Sequence, residues 1–174
     1  MFNNPYSATA LRFIVLAALQ VLVLSRIGVG EEWARYTQAL IYPLVILLLP
    51  INLPTVVVLL ISFVLGMSID IPLGTLGIHS SAMVLTGFAR GLVLAILEPR
   101  EGYQVENSPT KAEFGFTWFL SYSAILMTIH CFTLFAVEAF TFVYIGEILL
   151  RTIGSFSVSM ILVLLYVIIF NPET

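Results

Sequence analysis

The chain has 174 residues, 60% of them hydrophobic and only 10% charged, with a formal net charge of -3 and a mean hydropathy of +1.06. Soluble domains carry about 25% charged residues, so this composition excludes a water-exposed globular surface and predicts an integral membrane protein. The small negative charge is spread over loops and span ends, which argues against nucleic acid as a partner and against an acidic tail.

A membrane-crossing helix needs about 20 apolar residues. In chain order, candidate spans lie at 11–27, 39–51, 53–69, 78–97, 114–137 and 148–170. The expectation is an all-α membrane protein, a six-transmembrane-helix bundle forming a single integral membrane domain over 1–174. The first span is read as a retained helix, because its apolar run is too long for a signal peptide and no A-x-A-like site lies between that run and the break at Ser25 and Arg26. The second is short and bracketed by Pro43, Pro50 and Pro54, a pattern that also fits a re-entrant segment. Pro50 and Pro54 end one element and open the next, predicting a tight hairpin into the third span. The fourth, fifth and sixth are long enough to cross unaided, and Cys131, the single cysteine, sits inside the fifth with no partner for an internal disulfide. No inverted repeat of the secondary-transporter kind is visible.

Orientation is weakly encoded. With six spans, Arg12, Arg100 and Lys111 share the side of the termini, and Arg26, Arg35 and Arg151 face the other. Snorkelling of Arg90 toward the terminal side tips the positive-inside argument to cytoplasmic termini, with Asn107 in the 98–115 loop on the same face as Thr174.

Ionisable residues near hydrocarbon are costly unless paired or solvated, so each one asks for an explanation. Asp70 closes the third span, and Pro72, Gly74 and Gly77 break the chain before His79. Two readings stand: Asp70 caps the fourth helix or a turn, or Asp70 and His79 line a polar mouth that meets a partner or ligand. A metal set of Asp70, His79, His130 and Glu138 lacks the spacing that puts two ligands on one helical face, so no metal and no cofactor are expected. Arg90 is read as facing the bundle, with Gln20, Ser62, Tyr122 or backbone carbonyls as partners. Gly66, Gly87 and Gly91 offer surfaces for close helix approach, Gly87 and Gly91 continuing into Ala95 at every fourth position. Glu147 and Arg151 have the i, i+4 spacing of an interfacial pair, Glu138 ends the fifth span, and His130 is a packing residue. No G-x-S-x-G, H-E-x-x-H, Walker loop or dinucleotide fingerprint is present, which points away from catalysis.

These residues carry a resemblance. The early LxxLQVLVL helix, the LLLPINLP hairpin, the stretch LGMSIDIPLGTLGIHSSAMVLTGFAR and the polar loop EPREGYQ together resemble the rod shape-determining membrane protein family MreD, with 66–103 the specific part. The resemblance implies a non-catalytic inner-membrane component of the bacterial cell-elongation machinery. Its implied partners are an MreC-like bitopic protein, the actin-like MreB, and RodA with its penicillin-binding transpeptidase. It also implies a bundle similar to the substrate-binding subunits of energy-coupling-factor vitamin transporters, with Asp70, His79 and Arg90 as important positions. A vitamin-binding subunit of such a transporter is the rival reading. Against it, the first helix lacks the A-x-x-x-A spacing by which those subunits dock.

Overall fold

The computed structural model describes residues 5–27, 32–103, 108–141 and 143–170, so the positions Asn107 and Thr174 named above lie outside the described residues. Helices α1 (Pro5–Leu22), α2 (Leu44–Leu47), α3 (Thr55–Leu73), α4 (Ile78–Ile96), α5 (Lys111–Phe114), α6 (Phe116–Ala139) and α7 (Ile145–Phe170) follow in order, with short 3-10 turns at Leu24–Arg26 and Glu32–Arg35. The described residues contain no strand. Four helices, α3, α4, α6 and α7, are long and apolar enough to cross a membrane. They pack in sequence, α3 on α4, α4 on α6 and α6 on α7, while α1 lies against α2 and α3.

Each boundary has a local cause. Pro54 precedes α3 and its carbonyl accepts the first helical hydrogen bonds, from Val57 and Val58. At the other end, α3 stops at Gly74, whose φ of 68° is cheap only for a residue without Cβ, and Thr75 N–H bonds back to the Asp70 carbonyl. Gly77, at φ 88°, then turns the chain into α4.

The third and fourth helices meet at unusually short range. A Cβ on Gly66 would overlap the backbone of Ser80, and one on Gly87 would overlap the Ser62 hydroxyl. Both glycines therefore serve packing within this chain. Gly91 does not: a Cβ there meets nothing within 4 Å. The expectation of a close-approach role holds for two of the three positions only.

The largest departure from the sequence reading is the second candidate span, 39–51. It is not a helix of crossing length. Only Leu44–Leu47 is helical, because the residue before Pro43 is biased away from helical dihedrals and Pro43 itself supplies no N–H. Yet residues 40–49 are all buried. The segment runs lengthwise through the bundle. Tyr36 and Thr37 lie against Gly154 of α7, Tyr42 reaches His130 of α6, Leu47 reaches Tyr122 of α6, and Leu49 reaches Arg90 of α4. From His130 to Tyr122 is a rise of about 12 Å along α6.

Non-helical backbone at membrane depth is tolerated only where the protein itself satisfies it. Here distant side chains do so. The amides of Gln38 and Leu40 donate to the hydroxyls of Ser155 and Ser159 at 2.8 and 2.9 Å. Gln20 behaves like a neighbouring strand: its Oε1 accepts from Ile41 N–H and its Nε2 donates to the Ala39 carbonyl, each at 3.0 Å. Tyr122 donates to the Leu47 carbonyl at 3.1 Å. Arg90 donates to the carbonyls of Leu49 and, at 3.1 Å, Pro50.

Candidate functional site

The six residues singled out from sequence separate into two groups along α4, because His79 and Arg90 are about 16 Å apart along the helix. Gly66, Asp70 and His79 gather where α3 turns into α4. Gly87, Arg90 and Gly91 lie from the middle of α4 into its second half.

At the first end Asp70 is 3% exposed, and both carboxylate oxygens are saturated. Oδ1 accepts from the Thr75 hydroxyl at 2.6 Å, from His79 N–H at 3.0 Å and from His79 Nδ1 at 3.0 Å. Oδ2 accepts from Ser80 N–H at 2.9 Å and the Ser80 hydroxyl at 2.6 Å. The α4 N-terminal position, Gly77, has no side chain to cap the helix, so a carboxylate from the preceding helix caps it instead. A negative charge against the positive end of α4 is also favourable through the helix dipole. The capping reading of Asp70 is therefore the one observed. Asp70 and His79 do not line a mouth: both are buried at 3% exposure. The apolar groove beside them, lined by residues including Phe63, Met67, Gly77, Ser80 and Phe88, has neither residue in its wall.

His130 belongs to a buried cluster that sequence reasoning left isolated. Thr86 donates its hydroxyl proton to the Ala82 carbonyl at 2.7 Å, so toward His130 Nδ1, 3.1 Å away, its oxygen acts as acceptor. That places the imidazole proton on Nδ1 and leaves Nε2 to accept from the Tyr42 hydroxyl at 2.8 Å. The tautomer is thus assigned by the network. The Tyr42 ring is wedged between the two histidines, its centroid 5.8 Å from His79 and 5.2 Å from His130. His79 Nε2 is buried without a hydrogen-bond partner.

The four residues considered for metal ligation do not assemble. Asp70 and His79 bond to each other, His130 bonds to Tyr42 and Thr86, and Glu138 bonds to Arg151. That last pair corrects another expectation. Arg151 turns to Glu138 across the α6–α7 junction, with two contacts of 2.9 Å, rather than to Glu147 one turn earlier on its own helix. The reason is local: the Phe135 ring of α6 lies 4.4 Å beneath the guanidinium and holds it on that side.

In the second group Arg90 is 3% exposed and faces the bundle. Of the partners considered for it, backbone carbonyls and the Tyr122 hydroxyl are the ones beside its guanidinium, while Ser62 returns its hydroxyl to the Val58 carbonyl and Gln20 serves Ala39 and Ile41. A cleft of about 280 Å³ opens beside it, between the start of α3 and the end of α4. Tyr103 crosses its edge and donates to the Leu94 carbonyl at 2.8 Å. Partial burial and the nearby Glu98 charge push the Tyr103 phenol up to about 12.

Ser155, Ser159 and Gly154 were missed from sequence. Their signal was a small, polar face one turn long inside an otherwise apolar helix. Comparison of the chain with protein-family models, with curated proteins and with solved structures returns no match.

Proposed function

We propose that the chain is a non-catalytic scaffold of the bacterial cell-elongation machinery in the inner membrane, as its resemblance to the MreD family implies, and that it binds an MreC-like bitopic protein through its helices. In this reading α1, α3, α4, α6 and α7 cross the bilayer, and the segment 39–51, buried over 40–49, makes the second of six crossings. Both termini then lie on the cytoplasmic side, and the bundle is of the kind used by energy-coupling-factor substrate-binding subunits. MreB, RodA and a penicillin-binding transpeptidase complete the assembly.

The observation that carries this reading is where Asp70 and Arg90, the acid of α3 and the arginine of α4, point. Asp70 is consumed in capping α4, and Arg90 turns inward, its Nη2 holding the carbonyls of Leu49 and Pro50. They fasten the framework, and what the bundle offers outward is apolar helix surface, the kind that a membrane-embedded partner recognises by packing. Depletion in the native bacterium, with microscopy, tests the role: rounded cells are the expected result. Normal shape together with retention of a vitamin by the purified chain, and no retention of an MreC-like protein, would replace the scaffold with the vitamin-binding alternative.

A further inference from the structure

The cleft beside Arg90 has a chemistry that the framework role does not use up. Arg90 is a buried guanidinium, and among the described residues no carboxylate is paired with it. Its Nη2 is spent on two carbonyls and the Tyr122 hydroxyl lies against the guanidinium, whereas Nε–H is buried with no acceptor. A buried donor on a cation is expensive to leave unmade. The cleft that Arg90 helps to line also contains Thr55 at the first turn of α3, so the positive end of a 19-residue helix contributes there too. Glu98, exposed at the rim, supplies the opposite charge. Tyr103 adds no anion, since its phenol is neutral and already donates to Leu94.

Geometry narrows the ligand. Thr55, Gly91, Ala95 and Glu98 are exposed along the opening while Val58, Gly87, Arg90 and Leu94 are buried behind them, so the cleft faces sideways, out of the bundle, near one end of α3 and α4. At about 280 Å³ it is smaller than the usual pocket of a drug-sized ligand. A sideways opening near a helix end, with a cation deep and an anion at the rim, matches a small zwitterion presented by the bilayer.

We propose that this cleft binds the headgroup of an aminophospholipid, its phosphate against Arg90 and the α3 N-terminus and its ammonium against Glu98. Because the Arg90 Nε–H is closed off from the cleft as it stands, the side chain turns toward the opening when the phosphate binds and satisfies that donor, and the two acyl chains leave along the exposed faces of α3 and α4. The site is independent of which machinery the protein serves.

Gly91 makes the test clean, because a side chain there enters open space rather than a packed contact. Purified full-length chain, stripped of lipid in detergent, is titrated with phosphatidylethanolamine, with phosphatidylglycerol and with inorganic phosphate, and thermal unfolding and native mass spectrometry are followed. Phosphatidylethanolamine at a hundredfold excess over its Kd is expected to raise the midpoint by about 5 °C. Gly91→Leu removes that shift while unfolding within a few degrees of wild type without lipid, and Ala95→Leu on the same rim does so if Gly91→Leu fails to fold. Glu98→Gln keeps phosphate binding and loses the preference over phosphatidylglycerol. An equal lipid shift in wild type and both rim variants overturns the site. A shift reproduced by inorganic phosphate alone overturns the lipid source, and a wild-type preference for phosphatidylglycerol overturns the role of Glu98.

Discussion

Gly154 of α7 lies directly beneath the carbonyl of Tyr36, at a distance that leaves no room for a side chain. This contact seats the extended segment against α7 and brings Gln38 and Leu40 into reach of Ser155 and Ser159.

Gly154→Ala is therefore expected to destabilise the protein even though alanine is the better helix former. Overpacking of this kind costs about 1–3 kcal/mol, more than the gain in helix propensity. Gly146→Ala, at the start of the same helix with nothing within 4 Å, serves as the control and should be neutral or slightly stabilising. Thermal unfolding of the two variants in one detergent distinguishes contact from propensity.

The same contrast applies on the α3–α4 face. Gly66→Ala and Gly87→Ala should lower the folded yield, since each new Cβ meets Ser80 backbone or the Ser62 hydroxyl. Gly91→Ala should be neutral or stabilise by up to about 1 kcal/mol. Equal losses at all three positions would mean that Gly91 is covered in the folded protein.

Gln20→Leu leaves the Ile41 amide and the Ala39 carbonyl buried without partners. At about 1–3 kcal/mol for each abandoned group, the variant should show one of the larger losses available to a single apolar substitution here. An unfolding midpoint unchanged from wild type would mean that the segment finds other partners.

Asp70→Ala removes five hydrogen bonds and the cap of α4. Loss of a cap alone costs about 0.5–2 kcal/mol, and the released Ser80 and His79 groups add to it. A mouth-lining Asp70 would have impaired function while sparing the fold. With the carboxylate buried as a cap, folding suffers first, and folded yield measured alongside cell shape separates the two.

Arg90→Leu uncaps the Leu49 and Pro50 carbonyls and should reduce folded yield. Arg90→Lys, which keeps the charge but not the planar fork, should recover only part of it. Full recovery by lysine would mean that charge alone is needed at this depth.

The long helices could be read from apolar length because that signal is local. The 78–97 candidate becomes α4 (Ile78–Ile96) almost unchanged, and 148–170 becomes α7 (Ile145–Phe170). The first candidate, 11–27, is displaced: α1 starts at Pro5 and ends at Leu22, since a hydropathy window does not register a polar first turn. Pro50 and Pro54 do bracket the turn into α3 as expected. The course of 39–51 could not be read, because what stabilises it is remote in sequence. An apolar run states only that it will be buried. Whether it is buried as helix or as extended chain depends on Gln20, Ser155, Ser159, Tyr122 and Arg90 arriving at the right depth. Asp70 was half legible: its position before a glycine-rich turn suggested a cap, but the helix it caps has its own N-terminal glycine, and five acceptor contacts are a tertiary fact. Arg151 was paired with the nearer acid on its own helix, a rule that sequence spacing supports and the Phe135 ring overrides.

The extended segment also sets an order of events during synthesis. Each long helix carries its own backbone hydrogen bonds and can enter the bilayer as soon as it leaves the ribosome. Residues 36–42 cannot, because the acceptors for the Gln38 and Leu40 amides are Ser155 and Ser159, more than a hundred residues downstream. Until α7 has been made and inserted, that stretch must stay in the aqueous or interfacial zone or be shielded by an insertion factor. A nascent chain ending before α7 should therefore leave Gln38 open to aqueous labelling, with protection appearing only when the final helix docks.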